Sequence, residues 1–135
     1  MPRSALAYAR LIEDALRGAA GPLSAAGLAE TLAETGIGIA TVYRHLNRGV
    51  EEGRFAAVEL PGGPTRYEPA GRPHHHHFAC TGCDAVYDVP GCPGNLEALV
   101  PEGFTLASHE IVFEGLCSRC GGAGNDGDAG QGAAA

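Results

Sequence analysis

Helical periodicity dominates the first fifty residues. Residues 5–19 carry an apolar stripe whose members recur three and four positions apart: Tyr8, Leu11, Ile12, Ala15, Leu16 and Ala19. Gly21 and Pro22 then end this pattern. Ser24 is a good N-cap for a second helix, which Gly36 is expected to stop.

A third helix is predicted to begin near Ile39. The apolar positions expected to face the core are Ile39, Val42, Leu46 and Val50. The polar positions on the opposite side include Thr41, Arg44, His45 and Arg48. Because Arg44 and Arg48 are one turn apart, both should lie on the exposed side of the helix. This exposed side suits an element that enters the major groove of DNA.

Alternation replaces helical periodicity after Gly53. Residues 55–60 and 65–68 are predicted to form two strands, joined by a Pro-Gly-Gly-Pro turn at 61–64. Three helices followed by a β-hairpin is the order of a winged helix-turn-helix. We therefore predict a winged-helix DNA-binding domain at residues 1–68.

The second half predicts a smaller domain. Residues 69–73, Pro-Ala-Gly-Arg-Pro, have the composition of a hinge. Beyond them the pattern predicts short strands at 74–80 and 84–89, a short helix around Leu96 to Val100, and a longer strand from Phe104 to Gly115. Residues 74–120 would thus form an α/β domain. Residues 121–135 are almost entirely Gly, Ala, Asp, Asn and Gln, and we predict a disordered tail.

Charge and length refine this organisation. Domains this small have marginal cores, so a metal ion or a partner subunit would add needed stability. The formal net charge of -7 is unusual for a DNA-binding protein. Residues 1–67, however, hold seven Arg and seven acids, whereas residues 68–135 hold two Arg and nine acids. All of the excess negative charge therefore lies in the second half of the chain, from Glu68 onward.

The sequence predicts neither membrane insertion nor secretion. It has no run of about 18 apolar residues and no charged-then-apolar signal pattern at its start. We therefore expect a cytoplasmic protein that does not bind a membrane. In a reducing compartment, closely spaced thiols bind metal more often than they form disulfides.

Four of the five cysteines form two CxxC pairs, Cys80 with Cys83 and Cys117 with Cys120. Each pair can hold one ion from a tight turn, and two such turns complete a tetrahedral four-thiolate site. Because four thiolates leave no open position, we predict structural Zn²⁺ here. A redox CxxC motif or two disulfides are the alternatives.

Four consecutive histidines, His74 to His77, lie two residues before the first CxxC. On a strand, alternation sends His74 and His76 to one face and His75 and His77 to the other, so the tetrad should serve two metal sites. The candidate partners from the rest of the chain are Glu68, Asp88, Glu97 and His109. For any single histidine, the alternative is a solvated surface residue.

The chain resembles the ferric uptake regulator family of bacterial metal-responsive repressors over roughly residues 5–120. The motifs that carry the resemblance are Ala40-Thr41-Val42-Tyr43-Arg44, the histidine cluster before a CxxC, His109 and the closing CxxC. The resemblance implies an α+β fold, with an N-terminal winged helix and a small C-terminal dimerisation domain that holds structural zinc. It also implies a homodimer on a double-stranded DNA operator. The DNA contacts expected from the third helix are Thr41, Tyr43, Arg44 and Arg48.

The resemblance further implies two regulatory sites for a divalent metal. A hinge site would use Glu68, His75, His77 and Asp88. A second site in the dimerisation domain would use His74, His76, Glu97 and His109. The alignment needs an insertion at 90–93, which contains Cys92. Cys92 can be a ligand, a redox-active thiol or a bystander, and we interpret it as a bystander.

Four consecutive histidines are most similar to the zinc uptake regulator branch, because many iron-type members have Asp where this chain has His76. We therefore expect a Zn²⁺-dependent repressor of metal-uptake genes that is not an enzyme. Within the family, the alternative is an iron, manganese or peroxide sensor that uses Fe²⁺ or Mn²⁺. The alternative from another functional class is a zinc-binding enzyme or a metal-buffering protein. The sequence, however, has no hydrolytic triad, phosphate loop or HExxH motif.

Overall fold

The structure is a computed structural model that describes residues 4–121. The chain divides into two units between Pro73 and His74. Apart from Gly121, the predicted disordered tail at 121–135 lies outside the described residues.

Two capped helices open the first unit. Helix α1 spans Ala5–Gly18 and begins at Ser4, whose hydroxyl accepts the Ala7 N–H at 3.1 Å. Helix α2 spans Ala25–Thr31, and its N-cap is Ser24, as predicted; the Ser24 hydroxyl accepts the Gly27 N–H at 3.0 Å. A 3₁₀ turn at Ala33–Thr35 follows α2 and ends at Gly36, whose φ of 79° is left-handed.

Helix α3 spans Ile39–Glu51 and begins at the predicted residue. Val42 and Leu46 are fully buried, as predicted, but Ile39 and Val50 are 45% and 37% exposed, so their predicted burial was wrong. The Phe55 ring packs directly over Gly49, and Gly49 therefore provides the buried position in the last turns of α3. The core of this unit consists of Ile12, Leu16, Ala25, Leu28, Ile37, Val42, Leu46, Phe55 and Tyr67.

Three short antiparallel strands complete the winged helix. Strand β1 spans Leu23–Ser24, β2 spans Phe55–Val58 and β3 spans Arg66–Pro69, in the order β1-β3-β2. The predicted hairpin is therefore confirmed. Pro69, which the sequence analysis assigned to the hinge, is instead the last residue of β3 and lies opposite Phe55.

The second unit is built on a three-stranded sheet in the order β5-β4-β6. Its strands are β4 at His75–Cys80, β5 at Val86–Pro90 and β6 at Val112–Gly115. Strand β4 is central; it pairs antiparallel with β5 and parallel with β6. A 3₁₀ helix spans Leu96–Leu99, and a short helix, α4, spans Ser118–Gly121.

The strand predicted from Phe104 begins only at Val112. Residues 104–111 form no helix or strand. The pairing of β6 with β4 starts at Val112 opposite His77, and only His75 and His76 of β4 precede this point, too few to pair with a strand that extends back to Phe104. None of the helices within residues 4–121 is both long enough and apolar enough to cross a lipid bilayer.

Gly49→Ala should destabilise the first unit. A Cβ at this position would overlap the Phe55 ring, which is only 4% exposed and has little room to move. Overpacking of this kind costs about 1–3 kcal/mol and outweighs the usual gain from replacing a helical glycine. Urea denaturation followed by circular dichroism measures the change. The control is Gly18→Ala in α1, where a Cβ meets no heavy atom of the described residues within 4 Å. Equal stability of the two variants would show that Phe55 does not constrain Gly49.

Candidate functional site

Strand β4 and the residue before it supply histidines to two separate clusters. The His74 and His76 rings pack edge to face with centroids 4.6 Å apart. The His75 and His77 rings do the same at 4.9 Å. These pairs belong to different groups of metal-ligating side chains, so the predicted division of the tetrad is confirmed.

A four-cysteine cluster lies at the end of β4. One sulfur from each of Cys80, Cys83, Cys117 and Cys120 lies within 4.8 Å of all the others. The sulfurs of Cys83 and Cys117 are 3.8 Å apart, which matches the edge of about 3.8 Å expected for a tetrahedron with Zn–S bonds of about 2.3 Å. All five cysteines are free thiols, so the disulfide alternative is wrong.

Backbone amides prepare this cluster for negative charge. The N–H groups of Gly82, Cys83 and Cys117 donate to the Cys80 sulfur at 3.3–3.4 Å. Gly82 also permits close packing, because a Cβ there would lie 3.1 Å from the Cys120 sulfur. The first CxxC turn therefore has both the donors and the space that a thiolate cluster requires.

The thiol pKa values show that the cluster suits a cation. The backbone N–H of Cys120 lowers the pKa of Cys117 to about 6. The backbone N–H of Cys117 in turn lowers the pKa of Cys80. By contrast, a hydrogen bond from the Cys120 thiol to Cys117 raises the pKa of Cys120 to about 12. Without a cation, the four sulfurs share protons because adjacent thiolates repel. A bound divalent metal offsets this repulsion, and all four coordinated thiols can then be deprotonated. The residues thus fit structural zinc.

A second cluster joins His75 and His77 to Asp88. Asp88 lies opposite His77 in the β4–β5 pairing, and its Oδ1 is 3.6 Å from His75 Nε2 and 3.7 Å from His77 Nε2. These distances are long for hydrogen bonds and close to the separation of about 3.3 Å between nitrogen or oxygen ligands of one tetrahedral ion. Sequence reasoning missed Glu110, whose Oε1 lies 3.8 Å from His77 Nδ1.

Glu68 belongs to the other unit. It lies on β3, is 8% exposed, and its carboxylate is 4.0 Å from the Arg72 guanidinium. Its role as a ligand of the hinge site stays a prediction.

The third cluster corrects the sequence analysis at one position. His74, His76 and His109 come together as predicted, but the fourth member is Cys92, not Glu97. Glu97 is exposed on the 3₁₀ helix Leu96–Leu99. The interpretation of Cys92 as a bystander does not agree with this geometry.

The path of the loop after β5 explains why Cys92, and not Glu97, lies beside the three histidines. Gly91, with a φ of 110°, turns the chain where β5 ends. This turn brings the Cys92 sulfur to 3.1 Å from His109 Nε2. Asn95, with a φ of 53°, then turns the chain again before Glu97. The sequence signal that could have identified Cys92 is a thiol between Gly and Pro directly after the strand that pairs with the histidines.

The exposed face of α3 is the candidate nucleic-acid interface. Tyr43 is 48% exposed, and the Arg44 guanidinium donates to the Thr41 hydroxyl at 3.2 Å. Burial and the neighbouring Arg44 and Arg48 lower the pKa of His45 and favour its neutral form. A groove of about 520 Å³ runs beside Thr41, Arg44 and Arg48, and Asn47, which sequence reasoning missed, also lines it.

Comparison with known proteins decides the family. The sequence profile of the ferric uptake regulator family matches residues 23–114. The chain belongs to this family. The curated relatives that it matches are named as regulators.

Relatives and solved structures agree with this assignment. The ferric uptake regulation protein of Campylobacter jejuni is 32% identical over 87 residues, which are 62% of this chain. The chain covers 55% of that protein and 63% of the corresponding protein of Bordetella parapertussis, less than two thirds of either length.

Among solved structures of the ferric uptake regulator family, that from Francisella tularensis with iron is 25% identical, with a TM-score of 0.65 over 86% of this chain and 89% of that one. The structure from Pseudomonas aeruginosa with manganese is 26% identical, with a TM-score of 0.53 over 81% of this chain and 86% of that one. The predicted fold class, a winged helix followed by an α/β dimerisation domain with a four-cysteine cluster, is confirmed.

Cys117→Ser should remove zinc from the four-cysteine cluster and destabilise the second unit. Loss of a thiolate opens the tetrahedral site, and zinc binding there contributes directly to folding. After dialysis against a weak chelator, the variant should hold about one zinc ion fewer per chain than wild type and melt at a lower temperature. Elemental analysis and thermal unfolding measure both effects. Glu97→Gln, which lies outside all three clusters, is the control and should hold as much zinc as wild type. Unchanged zinc content in Cys117→Ser would contradict the assignment.

Proposed function

We propose that this protein is a transcriptional repressor that binds operator DNA as a homodimer when its regulatory sites hold Zn²⁺. The observation that carries the proposal is a winged helix with an exposed basic helix α3, in one chain with two histidine-rich clusters on β4. Neither feature alone indicates a metal-dependent regulator. Their combination matches the family assignment.

The DNA-binding part of the proposal rests on α3. Arg44 and Arg48 are exposed, and Thr41 orients the Arg44 guanidinium through its hydroxyl. Arginine can donate two hydrogen bonds to guanine and also pairs with phosphate. Together with Tyr43, these side chains form the proposed contact surface for the major groove.

The homodimer is proposed to form through the second unit. Large apolar side chains are exposed there, a pattern typical of a protein interface: Leu99, Phe104, Phe113 and Leu116. A symmetric dimer presents two copies of α3 related by a two-fold axis. The operator would then be a palindrome, with its half-sites about one helical turn apart.

The proposed switch uses the hinge site. His75, His77 and Asp88 lie in the second unit, and Glu68, the fourth ligand implied by the resemblance, lies on a wing strand of the first. Ligation by all four side chains would link metal occupancy to the placement of the winged helix. Metal then shifts the population toward the arrangement that fits the operator, in proportion to its preference for that arrangement.

Zinc is the proposed regulatory metal because both histidine clusters offer imidazole donors, and three of the four donors around His76 are imidazoles. An iron-responsive regulator is the second candidate. Two histidines and one carboxylate, as in His75, His77 and Asp88, are also a donor set that Fe²⁺ prefers, and the solved Francisella tularensis relative contains iron. Iron at this site would make His75 and His77 targets of peroxide-driven oxidation.

Zinc should increase operator affinity about 5- to 150-fold, the usual range of coupling between two sites. The operator is first selected from a random DNA pool with zinc-loaded protein. Fluorescence anisotropy then compares affinities in zinc, Fe²⁺, Mn²⁺ and chelator. A stronger response to Fe²⁺ would favour the iron candidate, whereas equal affinity in chelator and in each metal would contradict regulation by metal.

The same assay tests the DNA surface. Arg44→Ala should weaken binding of the selected DNA about 5- to 150-fold, equivalent to about 1–3 kcal/mol for a lost base contact. Arg17→Ala is the matched control, because Arg17 is exposed at the end of α1 and pairs with Glu13. Equal effects of both substitutions would argue against a specific role for α3.

A further inference from the structure

The third cluster contains a donor set that the family resemblance does not predict. It combines three imidazoles, from His74, His76 and His109, with the thiol of Cys92. One ligand atom from each lies within 4.8 Å of the other three. The carboxylate of Glu97, implied by the resemblance, is not in the group.

The distances within this cluster are those of ligands around a shared ion. His74 Nε2 and the Cys92 sulfur each lie 3.1 Å from His109 Nε2. For Zn–N bonds of about 2.0–2.1 Å and a Zn–S bond of about 2.3 Å, a tetrahedron has edges of about 3.3–3.6 Å. A shift of a few tenths of an ångström would therefore accommodate the ion.

Burial of His76 gives an independent indication. The His76 side chain is 1% exposed, and its Nε2 has no hydrogen-bond partner among the described residues. A buried polar atom without a partner is costly. The ring packs against those of His74 and His109, which also pack against each other, so a cation held by these three rings supplies the missing interaction.

The backbone of Ile111, directly before β6, contacts the His76 ring and the next residue of β4. The Ile111 N–H donates to His76 Nδ1 at 3.1 Å, while the Ile111 carbonyl accepts the His77 N–H at 3.2 Å. A neutral ring that accepts at Nδ1 carries its own proton at Nε2. Binding of a cation at Nε2 therefore requires the ring proton to move to Nδ1, and the contact of Nδ1 with the Ile111 N–H then has to open.

We propose that Cys92 is the fourth ligand of the second regulatory site, which makes it a three-histidine, one-thiolate site for Zn²⁺. Thiolate and carboxylate carry the same charge, so exchange of Glu97 for Cys92 leaves the net charge of the loaded site unchanged. It changes the softness of the donor set. A thiolate favours zinc over Mn²⁺, which prefers oxygen ligands.

The inference deepens the proposed function and rests on it only for the binding of a regulatory divalent metal by this cluster. It holds or fails independently of DNA binding. The hinge site has no sulfur ligand, so any thiolate signal outside the four-cysteine cluster reports on Cys92.

Cobalt(II) absorption tests the ligand directly. Full-length protein that keeps zinc in its four-cysteine cluster is titrated with Co²⁺, and the spectrum of Cys92→Ser is subtracted from that of wild type. The difference should show a near-ultraviolet thiolate-to-cobalt charge-transfer band that saturates with about one ion per chain. Cys92→Ser should also bind zinc at this site about 10- to 100-fold more weakly, at least as much as loss of an outer-shell partner costs.

Glu97→Gln is the control variant and should leave both the band and the zinc affinity unchanged. Circular dichroism confirms that the variants fold, which the exposure of both side chains favours. A flat difference spectrum, or loss of zinc affinity in Glu97→Gln but not in Cys92→Ser, would overturn the proposal. A Cys92-dependent band with metal-independent operator binding would instead uphold this site and refute the proposed function.

Discussion

Alternation of side chains along β4 is the constraint on which the metal chemistry of this protein depends. An extended strand sends neighbouring side chains to opposite faces, so consecutive histidines cannot all serve one ion. Pairing with β5 and β6 fixes the register of β4, and it places Asp88 opposite His77. A slip of one residue would exchange the two histidine pairs between the faces of the sheet. The strand pairing that stabilises this small sheet therefore also determines which histidines belong to each metal site.

The three clusters differ in their donors, and their roles follow from this difference. Four thiolates form a closed site whose metal contributes to folding. Two imidazoles and a carboxylate form a harder site, while three imidazoles and a thiolate form a softer one. In the proposed function, the closed four-thiolate site keeps its ion, while the two histidine clusters respond to an exchangeable one. The winged helix supplies the DNA-binding surface on which that response would act.

Local signals in the sequence predicted much of this arrangement. The cap at Ser24, the start of α3 and the division of the histidine tetrad each depend on a few neighbouring residues, and all three are present. Predictions failed where distant contacts decide the outcome. The packing of Phe55 over Gly49 determines which side of α3 is buried, and helical periodicity contains no information about it. Likewise, left-handed backbone at Gly91 and Asn95 brings Cys92 to the histidines and leaves Glu97 outside.

The most direct test of the account is anomalous diffraction at the zinc edge from crystals of the zinc-loaded full chain. It locates each ion without assumptions about its ligands. The account predicts three ions per chain, one for each cluster, with His74 and His76 on a different ion from His75 and His77. An ion bound jointly by the neighbours His75 and His76 would contradict it, because alternation along β4 would then not separate the sites.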